Sequence, residues 1–193
     1  RDRSVSRGLG DVYKRQDEKN AVSEPNGDKG GVGCLFDDDI NSYWHANWSG
    51  GTNNDDQFPQ LFQGGREMPI TIVVDMKESL IVHSIGWTQR QNSDYQDTKK
   101  VEYYVSDDEQ FKLGGKEDYS PVALNNWTFV MERSYQKGYN ATQWQTQSEE
   151  VLQKKVKGHL LKVKIVEGYR DRLASGAELY VKQLLAIDGE PIK

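Results

Sequence analysis

The chain has 193 residues, carries a formal charge of −5 and is 35 % hydrophobic, with five Trp, ten Tyr and a single Cys. That length suits one domain with a core of its own, and one Cys excludes an internal disulfide or a cysteine metal cluster. The acidic balance disfavours nucleic acid, whose phosphates would repel it, and no apolar run approaches the roughly 20 residues of a membrane span.

Residues 1–16 (RDRSVSRGLGDVYKRQ) are basic and aperiodic, with five Lys/Arg against two Asp/Glu, so the remainder stands at −8. They resemble translated sequencing-adaptor read-through and are set aside, with a disordered basic arm as the alternative; in neither case is a fold expected there. Residues 17–31 read as a polar linker, leaving 32–193 as the domain. No secretory apolar segment is visible. Cys34 reads as a small buried apolar residue.

Next comes an acidic turn, Asp37-Asp38-Asp39-Ile40-Asn41-Ser42. Calcium takes six to eight oxygen ligands, from carboxylates, carbonyls and hydroxyls, and this turn offers several. An EF-hand is excluded, because Ser42 stands at the glycine position and Trp48 where the bidentate Glu would be. A merely solvated acidic turn reads equally well from these residues alone. Residues 42–68 follow, long and aperiodic, rich in Asn, Asp, Gly and aromatics; loops of that length in a compact domain are usually functional.

From Pro69 the pattern becomes strand-like. Ile70, Ile72 and Val74 alternate with Thr71 and Val73; Ile81, His83, Ile85 and Trp87 share one face. Val101, Tyr103 and Val105 alternate with Glu102 and Tyr104. Trp127, Phe129 and Met131 alternate with Thr128, Val130 and Glu132. Residues 147–157 hold a helical turn or a loop, Leu161, Val163 and Ile165 alternate with Lys162, Lys164 and Val166, and residues 178–187 form a last strand. Period-two alternation in several short runs predicts an all-β antiparallel sandwich or barrel with long loops. Trp44 and Trp87 are expected in its core.

Four blocks, in order, carry a family resemblance. Phe36-Asp-Asp-Asp-Ile-Asn-Ser-Tyr-Trp-His45 is similar to the apolar-Asp-Gly-Asp/Asn-x-x-Thr-x-Trp-His run of discoidin domains, also called coagulation factor 5/8 type C domains. Pro69-Ile-Thr-Ile-Val-Val-Asp75-Met76 resembles their strand ending in Asp-Leu-Gly. Ile85-Gly-Trp-Thr-Gln-Arg90 with Val101-Glu-Tyr-Tyr-Val-Ser-Asp-Asp108 resembles the hairpin closed by Ser-Asp-Gly, and Ala174-Ser-Gly-Ala-Glu-Leu-Tyr-Val181 the closing Ala-Glu-Leu strand. The resemblance implies a jelly roll of eight strands, galactose-binding-domain-like. It implies a structural calcium, with Asp37 and Glu178 giving carboxylates, Asp39 and Ala177 backbone carbonyls, and Ser42 a hydroxyl or carbonyl. Two positions depart from the family: Asp38 stands where Gly is usual, and Ser42 replaces Thr.

Among bacterial family 32 carbohydrate-binding modules, the positions resembling His45, Trp48, Arg90 and Tyr169 contact sugar, and Asp97 stands roughly where an Asn often helps. Aromatic rings pack on the C–H face of a sugar, and polar side chains meet its hydroxyls. The resemblance therefore implies non-catalytic binding of galactose-type or N-acetylhexosamine-type glycans, outside the cell or at its surface, within a larger multidomain chain. Tyr95, Tyr139 and Trp144 are loop aromatics without an assigned role. The alternatives are a lipid- or protein-binding discoidin module and a hydrolase. The second is disfavoured, since consecutive Asp residues in one turn do not set two carboxylates about 5–9.5 Å apart across a glycosidic bond; no nucleophile elbow, zinc-protease helix or phosphate loop is present either.

Overall fold

A computed structural model describes residues 32–46, 68–108, 126–170, 173–187 and 190–191. The expectations for residues 1–31 and for most of the long loop, Trp48 included, lie outside them. Eleven strands are described: β1 (Trp44–His45), β2 (Ile70–Leu80), β3 (Val82–Thr88), β4 (Thr98–Ser106), β5 (Thr128–Ser134), β6 (Gln143–Thr146), β7 (Gly158–Gly168), β8 (Ser175–Gly176), β9 (Glu178–Gln183), β10 (Ala186–Ile187) and β11 (Glu190–Pro191). A short helix, α1, spans Glu149–Gln153, and a 3-10 turn spans Val32–Leu35.

Two antiparallel sheets face each other, in the orders β2-β7-β4-β5 and β6-β3-β9; β1 pairs with β8, and β10 with β11. The alternation read from the sequence becomes register. Ile70 and Val101 flank Ile165, Ile72 and Tyr103 flank Val163, and Val74 and Val105 flank Leu161. These three apolar rows meet Ile85, Trp87, Leu179 and Val181 of the opposite sheet in one continuous core. Trp44 and Trp87 lie inside it, at 1 % and 0 % exposure, and Cys34 is buried.

β5 departs from strict alternation. Opposite Tyr103 and Tyr104 stand Met131 and Phe129, so Val130 is an extra residue in the ladder. Such a bulge turns the residues on its two sides to opposite faces. Met131 is buried while Phe129 is 53 % exposed, although the expected alternation puts them on one face.

At the far end of β3 the β1–β8 pair lies so close to Trp87 that only glycine fits at 176. A Cβ there would stand 2.4 Å from Cζ2 of the buried Trp87 ring. Behind that ring, Trp87 and Tyr135 stack with centroids 5.9 Å apart, and the Tyr103 and Tyr135 hydroxyls hydrogen-bond at 2.7 Å.

Candidate functional site

The loops after β3, β5 and β7 gather at one end of the sandwich, and a buried glutamine ties them together. Gln89 is fully buried. Its Oε1 accepts from Trp87 Nε1 at 3.1 Å and from the Thr98 amide at 3.2 Å. Its Nε2 donates to the carbonyls of Thr98 at 2.7 Å and Gln136 at 3.1 Å. All four hydrogen-bonding positions of the amide are used, which is how a buried polar group escapes its desolvation cost.

Beside it lies Asp97, also fully buried. Its Oδ2 accepts the Gly138 amide proton at 2.6 Å, its carbonyl accepts from the Tyr169 amide at 3.0 Å, and its Oδ1 meets no donor among the described residues. Burial, reinforced by Asp94, raises its pKa; the Gly138 amide, Lys137 and Arg90 offset part of this. Gly138 turns in the left-handed region, at φ 67°. Three chain segments are thus hung on one residue, and each carries an exposed tyrosine: Tyr95 (47 %), Tyr139 (45 %) and Tyr169 (40 %). The Tyr169 hydroxyl is anchored on the Tyr135 carbonyl at 2.8 Å. The Arg170 guanidinium lies 3.5 Å over the Tyr95 ring. Arg90, half-buried, lies 3.6 Å over the Tyr43 ring with its Nε donating to Asn92. Asp94 pairs with Lys137 at 3.3 Å, so the Arg90–Asp94 bridge that sequence proximity suggests is replaced by stacking.

The sequence-derived ligand residues therefore fall into three groups. Arg90 and Tyr169 stand at this end with surface available. Asp97 lies beneath it as the residue that organises it. His45 is buried at 2 %, with Nδ1 donating to the Ala46 carbonyl at 3.0 Å. Tyr95 and Tyr139 join the end without any pattern that marks them: Tyr95 stands two residues before Asp97, and Tyr139 follows the Gly138 that donates to it.

The acidic turn lies against the start of β9. Asp37 Oδ1 accepts from the Asp39 amide at 3.0 Å and Oδ2 from the Ser42 hydroxyl at 2.7 Å; Asp39 Oδ1 accepts from the Asn41 amide at 2.9 Å. Asp38 adopts φ 60°, the left-handed conformation that suits Gly and that Asp tolerates better than most residues. The turn has thus kept a glycine-like backbone with a side chain on it. Against this turn stands Glu178, 1 % exposed, with neither carboxylate oxygen reaching a donor among the described residues. Burial above all, then the neighbouring Asp37 and Asp38 carboxylates, push its pKa up to about 9. A buried carboxylate facing the exposed Asp37 calls for either a proton or a cation beside it.

No family model matches the chain, and no curated protein does at the sequence level. Solved structures match throughout the domain. CpGH89CBM32-5 from Clostridium perfringens, in complex with GalNAc-β-1,3-galactose, is 19 % identical over 82 % of this chain and 88 % of its own, at TM-score 0.57. The C-terminal domain of a chitobiase from Bacteroides fragilis is 18 % identical over 86 % and 89 %, at 0.60. An F5/8 type C domain from Bacteroides fragilis is 10 % identical over 86 % and 89 %, at 0.54. With two antiparallel sheets on one core, the chain has the galactose-binding-like β-sandwich fold of F5/8 type C (discoidin) domains and family 32 carbohydrate-binding modules.

Proposed function

We propose that this domain is a non-catalytic carbohydrate-binding module, with its glycan site at the tyrosine-rich loop end and a structural calcium between the Asp37 turn and Glu178. The observation that carries the binding site is the convergence of Tyr95, Tyr139, Tyr169, Arg90 and Arg170 around one buried carboxylate. Rings stiffened by stacking or hydrogen bonds cost little entropy when they meet a ligand. Guanidinium groups supply donors for hydroxyls. A carbohydrate-binding module of this fold is known in complex with GalNAc-β-1,3-galactose, which supports galactose-type or N-acetylhexosamine-type glycans as first ligands, and a place outside the cell or on its surface, in a multidomain chain. Trp48 and His45 remain part of the proposal: Trp48 by its sequence position two residues beyond Ala46, His45 as the buried strand residue just before it.

For calcium, the buried carboxylate of Glu178, without a donor among the described residues, is the observation that fits. Among the described residues no three His, Cys, Asp or Glu side chains gather as a metal cluster. The cation would therefore be held by the Asp37 and Glu178 carboxylates together with oxygens of Asp39, Ser42 and Ala177, in the mixed carboxylate–carbonyl manner of calcium sites. Its role is to neutralise the two acids and to join segments from opposite ends of the domain.

An open site of a few rings and guanidinium groups supports weak binding, on the order of 0.1–1 mM for a monosaccharide, or about −4 to −5.5 kcal/mol. A glycan array followed by isothermal titration tests this, using wild type, Arg90→Ala, Tyr169→Ala and Trp48→Ala. Loss of binding with an unchanged melting temperature supports the site. Equal binding by all four proteins would relocate it, and capture of lipid or protein but no glycan would replace the reading with an adhesion module.

A further inference from the structure

A second aromatic surface stands apart from the loop end, on the open face of the three-stranded sheet. Trp144 of β6, Gly86 of β3 and Tyr180 of β9 form one cross-strand row. The indole lies directly on the sheet: a Cβ at Gly86 would meet Trp144 Cε3 at 3.0 Å and Cδ2 at 3.1 Å. Tyr180 extends the platform, its ring centroid 5.9 Å from that of Trp144 and tilted by 30°. Trp144 keeps 39 % of its surface exposed. The next row is Thr146, Ser84 and Lys182, and Lys182 Nζ rests 3.9 Å from the Trp144 centroid. No carboxylate is paired with Lys182 among the described residues.

We infer that this row is a second carbohydrate-binding surface, selective for acidic sugars: a hexuronate laid with its C–H face on Trp144 and Tyr180 and its carboxylate on Lys182. Three features select that ligand. The platform is about one indole and one phenol wide, which matches one or two pyranose rings and falls far short of the roughly 800 Å² that a protein partner covers on each side. Its described border includes Thr142, Thr146 and Lys182, polar groups that suit sugar hydroxyls better than a protein core. Its charge is one-sided, with Lys182 at one end unpaired with any described carboxylate, so a sugar carboxylate is drawn to that end. Lys182 now caps the indole, and ligand binding moves the ammonium aside from the ring onto the sugar carboxylate.

The test is titration of the calcium-saturated domain with hyaluronan tetrasaccharide, which alternates hexuronate with N-acetylhexosamine, and with neutral chitotetraose. Wild type is expected to prefer the acidic tetrasaccharide severalfold. Trp144→Ala should weaken hyaluronan binding at least tenfold and Lys182→Gln should erase the preference, each measured in wild type and again with Arg90→Ala silencing the loop end, with circular dichroism confirming each fold. Equal affinity for the two ligands, undetectable hyaluronan binding, or hyaluronan binding that survives Trp144→Ala would overturn the proposal. Galactose-type binding lost in Arg90→Ala tests the loop end separately, so either site can fail while the other stands.

Discussion

Asp97 and Glu178 are both carboxylates with almost no exposed surface, yet their surroundings are opposite. Asp97 is partly satisfied by the protein itself: the Gly138 amide donates to one oxygen, and Gln89 completes the polar network beside it. Glu178 faces the Asp37 carboxylate, and neither of its oxygens meets a donor among the described residues. A buried acid that receives a backbone proton organises the chain around it. A buried acid facing another acid calls for something from solvent. The first arrangement is built from the protein's own groups, and the second is where the proposed calcium would act.

The contrast can be broken first at Gln89. Gln89→Ala strands the Trp87 indole N–H and both backbone groups of Thr98, each costing about 1–3 kcal/mol when unsatisfied. A loss of about 3 kcal/mol or more is expected by urea denaturation, equal with calcium and with chelator. A loss that calcium repairs would mean the two pockets are one unit.

The Glu178 side is smaller and conditional. Calcium at about 100 Kd should stabilise the domain by roughly 2.7 kcal/mol, a rise of roughly 5–10 °C in melting temperature for a domain of this size. Glu178→Ala should abolish that rise. Glu178→Gln sharpens the point by its sign: it removes the repulsion with Asp37, so it should be more stable than wild type in chelator and less stable in calcium. The same ranking of the two proteins in both buffers would sink the metal reading.

The smallest effect concerns Asp97. Its folded pKa is raised, so its proton is held more tightly in the folded state. Its contribution to stability is fully present below the ordinary carboxylate pKa of about 3.9. The contribution is then lost as pH rises through the raised folded value. Wild type should lose melting temperature across that window, and Asp97→Asn should flatten the step. An identical profile in the two proteins would assign the pH dependence elsewhere.

The sheets were largely legible in the sequence because burial on one face imposes period two: Ile70, Ile72 and Val74, and Val101, Tyr103 and Val105, sit in register as their alternation implies. The limit came where backbone geometry overrides pattern. The bulge at Val130 is invisible in a run that still alternates, and β6, four residues of Gln, Trp, Gln and Thr, has too little apolar content to announce itself. The acidic turn was legible through its oxygen-rich composition and Glu178 through resemblance, but the depth of Glu178 was not, since burial there depends on a contact between residues 37 and 178. At the loop end, Arg90 and Tyr169 came from motif position. Tyr95 and Tyr139 could not, because they are joined only through Asp97 and Gly138, 41 positions apart.

The hydrogen bond from Trp87 to Gln89 also gives the molecule an optical gauge. The Trp87 indole has no exposed surface, stacks on Tyr135 and donates to the same amide that holds Thr98 and Gln136. Its environment is thus set by the segments that carry the exposed tyrosines, although the ring itself lies deep between the sheets. A fluorine label on the indole ring would move its resonance whenever those segments loosen or tighten, reporting events at the surface from a chromophore that no ligand can touch.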